Sequence, residues 1–86
     1  MKDSLGVLDK FSKKGFLSPP MLLVENDYDW TTQATRAKKT YLFEKNPDPE
    51  LIKKLGDIYE GARIRIKYYH LDEDKDVRII KDVAEL

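Results

Sequence analysis

The sequence predicts a mostly β domain in which one helix separates a third strand from a fourth. Three observations support this fold class: an amphipathic helix pattern near the middle of the chain, an alternating strand pair after it, and short β-prone segments before it. At 86 residues the chain has the length of one domain, so we expect a single domain over residues 1–86.

The helix is the best-defined element, and its signals lie between Asn46 and Gly61. Asp48 is a good N-cap, Pro49 suits the first helical position, and the helix dipole favours an acid at Glu50. Gly61 can adopt the left-handed conformation that commonly ends a helix. One apolar stripe follows at helical spacing: Leu51, Ile52, Leu55, Ile58 and Tyr59.

Two strands joined by an acidic turn are predicted after the helix. Segment 62–70 alternates apolar with polar residues, as a half-buried strand does. Segment 71–76 is too polar for a strand, and segment 77–86 regains strand character with Val77, Ile79 and Val83 in phase. We therefore expect an antiparallel hairpin. The outward set on its first strand is Arg63, Arg65, Lys67 and Tyr69.

Before the helix, segments 21–24 and 39–44 are predicted strands, separated by the long polar connection 25–38. The first segment is open to two interpretations. Leu5, Leu8 and Phe11, with Gly15 after them, suit a helix, whereas Leu5, Val7, Phe11 and Phe16 suit a bent strand interrupted by glycine. Periodicity alone does not choose between them.

With a strand in the first position, the element order becomes β-β-β-α-β-β. This order resembles the OB-fold, a five-stranded Greek-key barrel, over essentially the whole chain. The resemblance is one of element order, because the chain carries no motif specific to an OB-fold family. It implies a barrel that binds through the face of its second and third strands and the neighbouring loops. With a helix first, the alternative is an α+β fold, a four-stranded antiparallel sheet packed by helices.

The sequence shows no combination of residues that could catalyse a reaction by itself. We therefore predict that the chain is not an enzyme and binds no cofactor. Its only histidine, His70, lies at the end of a predicted strand, and the sequence indicates neither a carboxylate to orient it nor a substrate pocket. We therefore predict that His70 is a surface residue. Asp72, Asp74 and Asp76 have the spacing of a calcium loop, but later positions hold valines instead of the required glycine and glutamate. We expect no catalytic residues and no metal site.

The absence of cysteine excludes disulfides and thiolate metal sites, as suits a reducing compartment. No apolar run is long enough to cross a bilayer, and Met1 to Ser4 begins no secretory signal. These features predict a cytoplasmic protein without a membrane partner, and they leave its oligomeric state open.

The net charge of zero conceals a segregation of charge. Seven of the sixteen acids lie in two short clusters, 25–29 and 72–76, and outside those clusters there are fifteen basic and nine acidic residues. Two basic clusters stand out, one on each side of the helix. Arg36, Lys38 and Lys39 form the first cluster, and Arg63, Arg65 and Lys67 form the second.

Cations beside exposed aromatic side chains are typical of single-strand binders, because cations neutralise phosphates and aromatic rings stack on bases. We therefore predict a small domain that binds single-stranded DNA or RNA, as an accessory factor in replication, recombination or a mobile element. Tyr41 fits either the core or this surface, and Trp30 is either a plug beneath its loop or an exposed anchor. The predicted binding residues are Arg63, Arg65, Lys67, Tyr69, Arg36, Lys38, Lys39, Tyr41 and Trp30.

The alternative is a protein-interaction module, such as an inhibitor encoded by a phage or plasmid, because mixed charge with exposed aromatics suits a polar interface. The acidic turn 71–76 favours this alternative. It would be the loop between the fourth and fifth strands, which many OB-folds use against the nucleic acid, and four acids there would repel phosphate.

Overall fold

The computed structural model describes residues 1–13, 20–29 and 33–86, which form a closed five-stranded barrel with one helix. Strand order around the barrel is β1-β2-β3-β5-β4, and β4 pairs with β1 to close it. The predicted order β-β-β-α-β-β is thereby confirmed. The elements are β1 (Lys2–Ser12), β2 (Met21–Asp29), β3 (Ala34–Leu42), α1 (Pro49–Asp57), β4 (Arg63–Asp72) and β5 (Val77–Glu85).

The first segment is strand β1, so the helical interpretation and the α+β alternative are wrong. β1 pairs with β2 on one side and β4 on the other, and this double pairing settles what periodicity left open. Gly6 permits a close approach to β2, since a Cβ atom there would lie 2.2 Å from Val24 Cγ1. The interruption by glycine is therefore a packing requirement of the closed barrel.

Strands β2 and β3 are longer than the sequence predicts. Most of the predicted polar connection 25–38 belongs to them, because β2 continues to Asp29 and β3 begins at Ala34. The amide of Gln33 (φ 57°) donates to the carbonyl of Asp29 at 2.7 Å, so the two strands form a hairpin. Polar residues continue these strands because they face water or a polar region inside the barrel.

The helix begins as predicted but ends earlier. The Asp48 side chain caps it by accepting a hydrogen bond from the amide of Glu50 at 2.9 Å. The helix ends at Asp57, and Ile58 is already extended. Gly61 has a positive φ of 94°, but it serves the turn into β4, where its amide donates to the carbonyl of Leu8 at 2.7 Å. Leu51 and Leu55 are the buried helical residues, while Tyr59 is exposed.

The hydrophobic core fills the barrel and the underside of α1. The alternation predicted for β4 is confirmed, with Ile64, Ile66 and Tyr68 buried between exposed neighbours. The phase predicted for β5 holds only in part. Ile79 and Val83 are buried and Val77 is half-buried, but a register shift at Lys81 lets Arg78 and Ile80 point inward as well. The described part of the chain has no helix long and apolar enough to span a membrane.

Candidate functional site

The outward set of β4 forms a continuous strip on the barrel surface, and we call Arg63, Arg65, Lys67 and Tyr69 the β4 strip. All four residues are exposed, and Tyr69 shows 37% of its surface. Alternate residues of a strand share a face, so these side chains follow one another at about 6.7 Å. Pairing on both edges of β4 fixes the direction of the strip.

The neighbours of the strip make its two halves electrostatically different. Cross-strand partners share a face of the sheet. Lys67 lies between Asp3 of β1 and Asp82 of β5, so its charge has acids on both sides. Arg65 instead lies between Leu5 and Ala84, and Arg63 lies opposite Val7. The cross-strand neighbours of the strip are therefore acidic at Lys67 and apolar towards its Arg63 end.

The first basic cluster lies on β3, although Arg36 and Lys38 were predicted in the connection before that strand, and each of its cations approaches an acid. Arg36 Nε and Lys39 Nζ both lie 3.1 Å from Oδ2 of Asp76. Lys38, the most exposed of the three, has its Nζ 3.7 Å from Asp9 and 3.9 Å from Glu25. These pairs reduce the positive charge that the strand 2–3 face offers to a ligand.

One of the predicted aromatic binding residues lies in the core instead of on the surface. Tyr41 has no exposed area, so its ring is unavailable for base stacking, and its place in the predicted site is corrected to the core. Trp30 lies outside the described residues. The exposed aromatic residue on the β4 strip is Tyr69, and Lys81 Nζ lies 5.9 Å from the centre of its ring.

A buried ionic network occupies one end of the barrel, and its centre is Arg78. This guanidinium is only 2% exposed, yet it contacts three carboxylates. Nη1 donates to Asp27 at 2.9 Å, Nη2 donates to Asp29 at 3.3 Å, and Nε donates to Asp76 at 2.9 Å. Buried charges persist when they are paired and hydrogen-bonded, and the donors of Arg78 meet that condition.

Hydroxyl groups complete the hydrogen bonding of the two deepest carboxylates. Asp27 accepts from Ser4 Oγ at 2.8 Å and from the Tyr41 phenol. Asp29 accepts from the Tyr68 phenol. Burial raises the pKa of Tyr41 and of Tyr68, and the adjacent carboxylates raise both values further. Both phenols therefore stay protonated at neutral pH and serve as donors.

A bulge in β2 turns these carboxylates inward. Between the pairs Leu5–Tyr28 and Val7–Glu25, β1 has one residue and β2 has two, and Asn26 adopts a φ of 51°. Inward residues are even-numbered before the bulge and odd-numbered after it, which buries Asp27 and Asp29. Asparagine tolerates the left-handed conformation better than most residues, so the chain can form the bulge here.

His70 is not the surface residue that the sequence predicts. Its side chain is 9% exposed, with Nε2 2.6 Å from Asp76 Oδ1 and Nδ1 2.9 Å from Lys2 Nζ. An ammonium group only donates, so we assign Nδ1 as the acceptor and Nε2–H as the donor to Asp76. Both ring nitrogens are engaged, which gives His70 a structural role between the barrel and the turn.

The acidic turn is less negative than the sequence predicts, because two of its acids are paired. Asp76 meets cations from β3 and β5. Burial opposes its ionisation, but hydrogen bonds from His70 and Arg78 outweigh burial and hold the pKa of Asp76 well below its usual range. Glu73 pairs with Lys2 at 3.0 Å. Within the described ranges, no group of three or more His, Cys, Asp or Glu side chains is placed to hold a metal ion.

Sequence reasoning missed the network because its members lie far apart in the chain. Arg78 could have been found from its phase, since it alternates with the apolar Ile80. Asp27 and Asp29 gave no such signal, because the bulge at Asn26 reverses their direction.

No family model, no curated protein and no solved structure matches the chain.

Proposed function

We propose that this domain binds single-stranded nucleic acid along the β4 strip. The observation that carries the proposal is that one strand presents two arginines, a lysine and a tyrosine on a single outer face. Cations in such a row can neutralise successive phosphates, and the exposed ring of Tyr69 offers a surface for a base. The closed barrel is a rigid support, so little ordering is needed on binding.

The same proposal places the chain in the OB-fold superfamily and gives it a binding role without catalysis. The strand order and the helix between β3 and β4 support that assignment. The proposed surface differs from the strand 2–3 face because the β3 cations already approach acids. The objection from the acidic turn is weaker, since Asp76 and Glu73 are both paired.

A labelled oligo-dT titrated by fluorescence anisotropy tests the proposal. Binding should appear at low salt and weaken with a logarithmic salt slope of about −2, the value for three phosphate contacts on a single strand. Arg63→Glu with Arg65→Glu should abolish binding without unfolding the domain. Lys10→Glu with Lys53→Glu is the matched control, because it changes net charge equally at exposed positions away from the strip.

Two results would count against nucleic-acid binding. One is no detectable binding at about 50 mM salt with tens of micromolar protein, where non-specific binders still associate. The other is equal loss in the strip variant and its control, which would show a response to net charge alone. Retained binding in the control with loss in the strip variant supports the proposal.

A protein partner is the second candidate, and one observation favours it. Leu71 continues the outer face of β4 past Tyr69 and is 68% exposed. Tyrosine is enriched at interface hot spots, and Leu71 extends the apolar surface beside Tyr69. Under this candidate, Leu71→Asp should remove a dominant partner in a pull-down, while the oligonucleotide titration remains negative.

A further inference from the structure

A cavity of about 300 Å³ opens on the outer surface beside the Arg63 end of the β4 strip. It lies over β1, between the bulged part of β2 and the start of β4. Its volume falls at the lower end of the range for small-molecule sites. The side chains that line it are Leu5, Val7, Asn26, Tyr28, Arg63 and Leu86.

The lining combines an apolar floor with an aromatic wall and a polar rim. Leu5 and Val7 are half-buried residues of β1 and form the floor. Strand pairing places Tyr28 directly beside Leu5, and Arg63 directly beside Val7. The Asn26 amide adds a donor and an acceptor at the bulge. A flat, partly polar group fits such a site better than an aliphatic one, because it can use both the wall and the rim.

The charge beside the cavity indicates that its ligand carries an anionic group as well as a flat one. Arg63 is exposed and makes no ion pair with any residue in the ranges 1–13, 20–29 and 33–86. Its cross-strand neighbour in the floor is the apolar Val7, in contrast to Lys67, which has an acid on each side. An anionic group attached to the flat group of the ligand would therefore form charge-assisted hydrogen bonds with the guanidinium of Arg63.

We propose that the cavity is a subsite for one nucleotide of the bound strand. The base lies between Tyr28 and the floor formed by Leu5 and Val7, its edge faces Asn26, and the adjoining phosphate contacts Arg63. This inference rests on the proposed function and adds to it the position at which a base is held. The neighbouring cation Arg65 contacts the next phosphate along the strip.

The test compares oligo-dT with an abasic strand of equal length, using the intact protein. Wild type should bind the abasic strand about ten-fold more weakly, because base stacking is lost while the phosphates remain. Tyr28→Leu should weaken oligo-dT binding several-fold and should narrow the difference between the two strands to the part that stacking on Tyr69 contributes. Val7→Phe, which fills the cavity from an outward position, should have the same effect.

Two controls make these results specific. Tyr59→Leu removes a tyrosine that is 66% exposed on the connection after α1 and should change affinity less than about two-fold. Thermal melts monitored by circular dichroism establish that each variant is folded. Because the abasic comparison uses wild-type protein, it stands even where a variant fails to fold.

The outcomes separate this inference from the proposed function. Equal binding of both strands by wild type overturns the nucleotide subsite and leaves backbone binding along the strip intact. Unchanged binding in folded Tyr28→Leu and Val7→Phe does the same. Failure of wild type to bind either strand overturns the proposed function and the subsite with it.

Discussion

Replacing Arg78 by methionine should be among the most destabilising single changes in this domain. The guanidinium is 2% exposed and compensates the carboxylates of Asp27 and Asp29, which are 0% and 1% exposed. Methionine preserves most of the volume but removes the charge, so both carboxylates lose their cation. Breaking a buried pair from one side costs about 3–5 kcal/mol. The whole domain, at 86 residues, has a stability of only about 4–13 kcal/mol.

Urea unfolding followed by circular dichroism measures this loss. With a slope of about 1–2 kcal/mol per molar for a small domain, the midpoint should fall by roughly 1.5 M or more. Arg63→Met is the matched control, and its free energy of unfolding should change by about 0.5 kcal/mol or less, because Arg63 is exposed. A loss below about 1 kcal/mol in Arg78→Met would refute the reasoning that the network depends on its cation.

The triple variant Arg78→Met, Asp27→Asn, Asp29→Asn separates charge from packing. Its two amides no longer carry the charge that Arg78 compensates, so it should be more stable than Arg78→Met alone. If the triple variant is the less stable of the two, uncompensated charge is not the reason for the loss. Asp76 remains charged in both variants and keeps its pairs with Arg36 and Lys39.

Two further predictions follow from the packing of the glycines and from the pKa of Asp76. Gly6→Ala should lower the free energy of unfolding by about 1–3 kcal/mol, since its Cβ would meet the buried Val24, whereas Gly56→Ala in the exposed face of α1 should raise it by about 0.5–1 kcal/mol. Equal effects of the two substitutions in thermal melts would contradict this. The pKa of Asp76 is lowered in the folded state, so its contribution to stability is complete above the unfolded value of about 3.9 and is lost as pH falls further. The stability gap between wild type and Asp76→Asn should therefore be widest near neutral pH and shrink below about pH 4, and a gap that widens in acid would contradict the assignment.

The network also explains why the charge pattern of the sequence misleads about the surface. Counting charges places Asp27, Asp29 and Asp76 in solvated loops and leaves the β3 cations available. In the structure Asp27 and Asp29 lie inside the barrel, and Asp76 forms ion pairs with Arg36 and Lys39. Among the described cations, Arg63 at the start of the β4 strip is exposed and has the apolar Val7 as its cross-strand neighbour.

The elements predicted best are those with a complete local signal. Strand β4 alternates without interruption over its length, and Asp48 with Pro49 marks the start of α1 in the sequence itself. The end of α1 was predicted too late. Gly61 was suited to end a helix, but the turn into β4 uses its positive φ instead. The local sequence indicates which conformations a residue such as Gly61 can adopt, but contacts with the surrounding strands determine which structural element uses that conformation.

The sequence alone therefore determined the order of the elements after the first segment, the outward face of β4 and the residues of the β4 strip. Alternation of apolar and polar residues and helix capping depend on a few neighbouring residues, so both patterns can be recognised in the sequence without the tertiary structure. Tertiary structure alone decided that the first segment is a strand, that Asp27 and Asp29 turn inward, and that the β3 cations pair with acids. Arg78 meets Asp27 across 51 residues, and only closure of the barrel with its bulge at Asn26 brings the two side chains together.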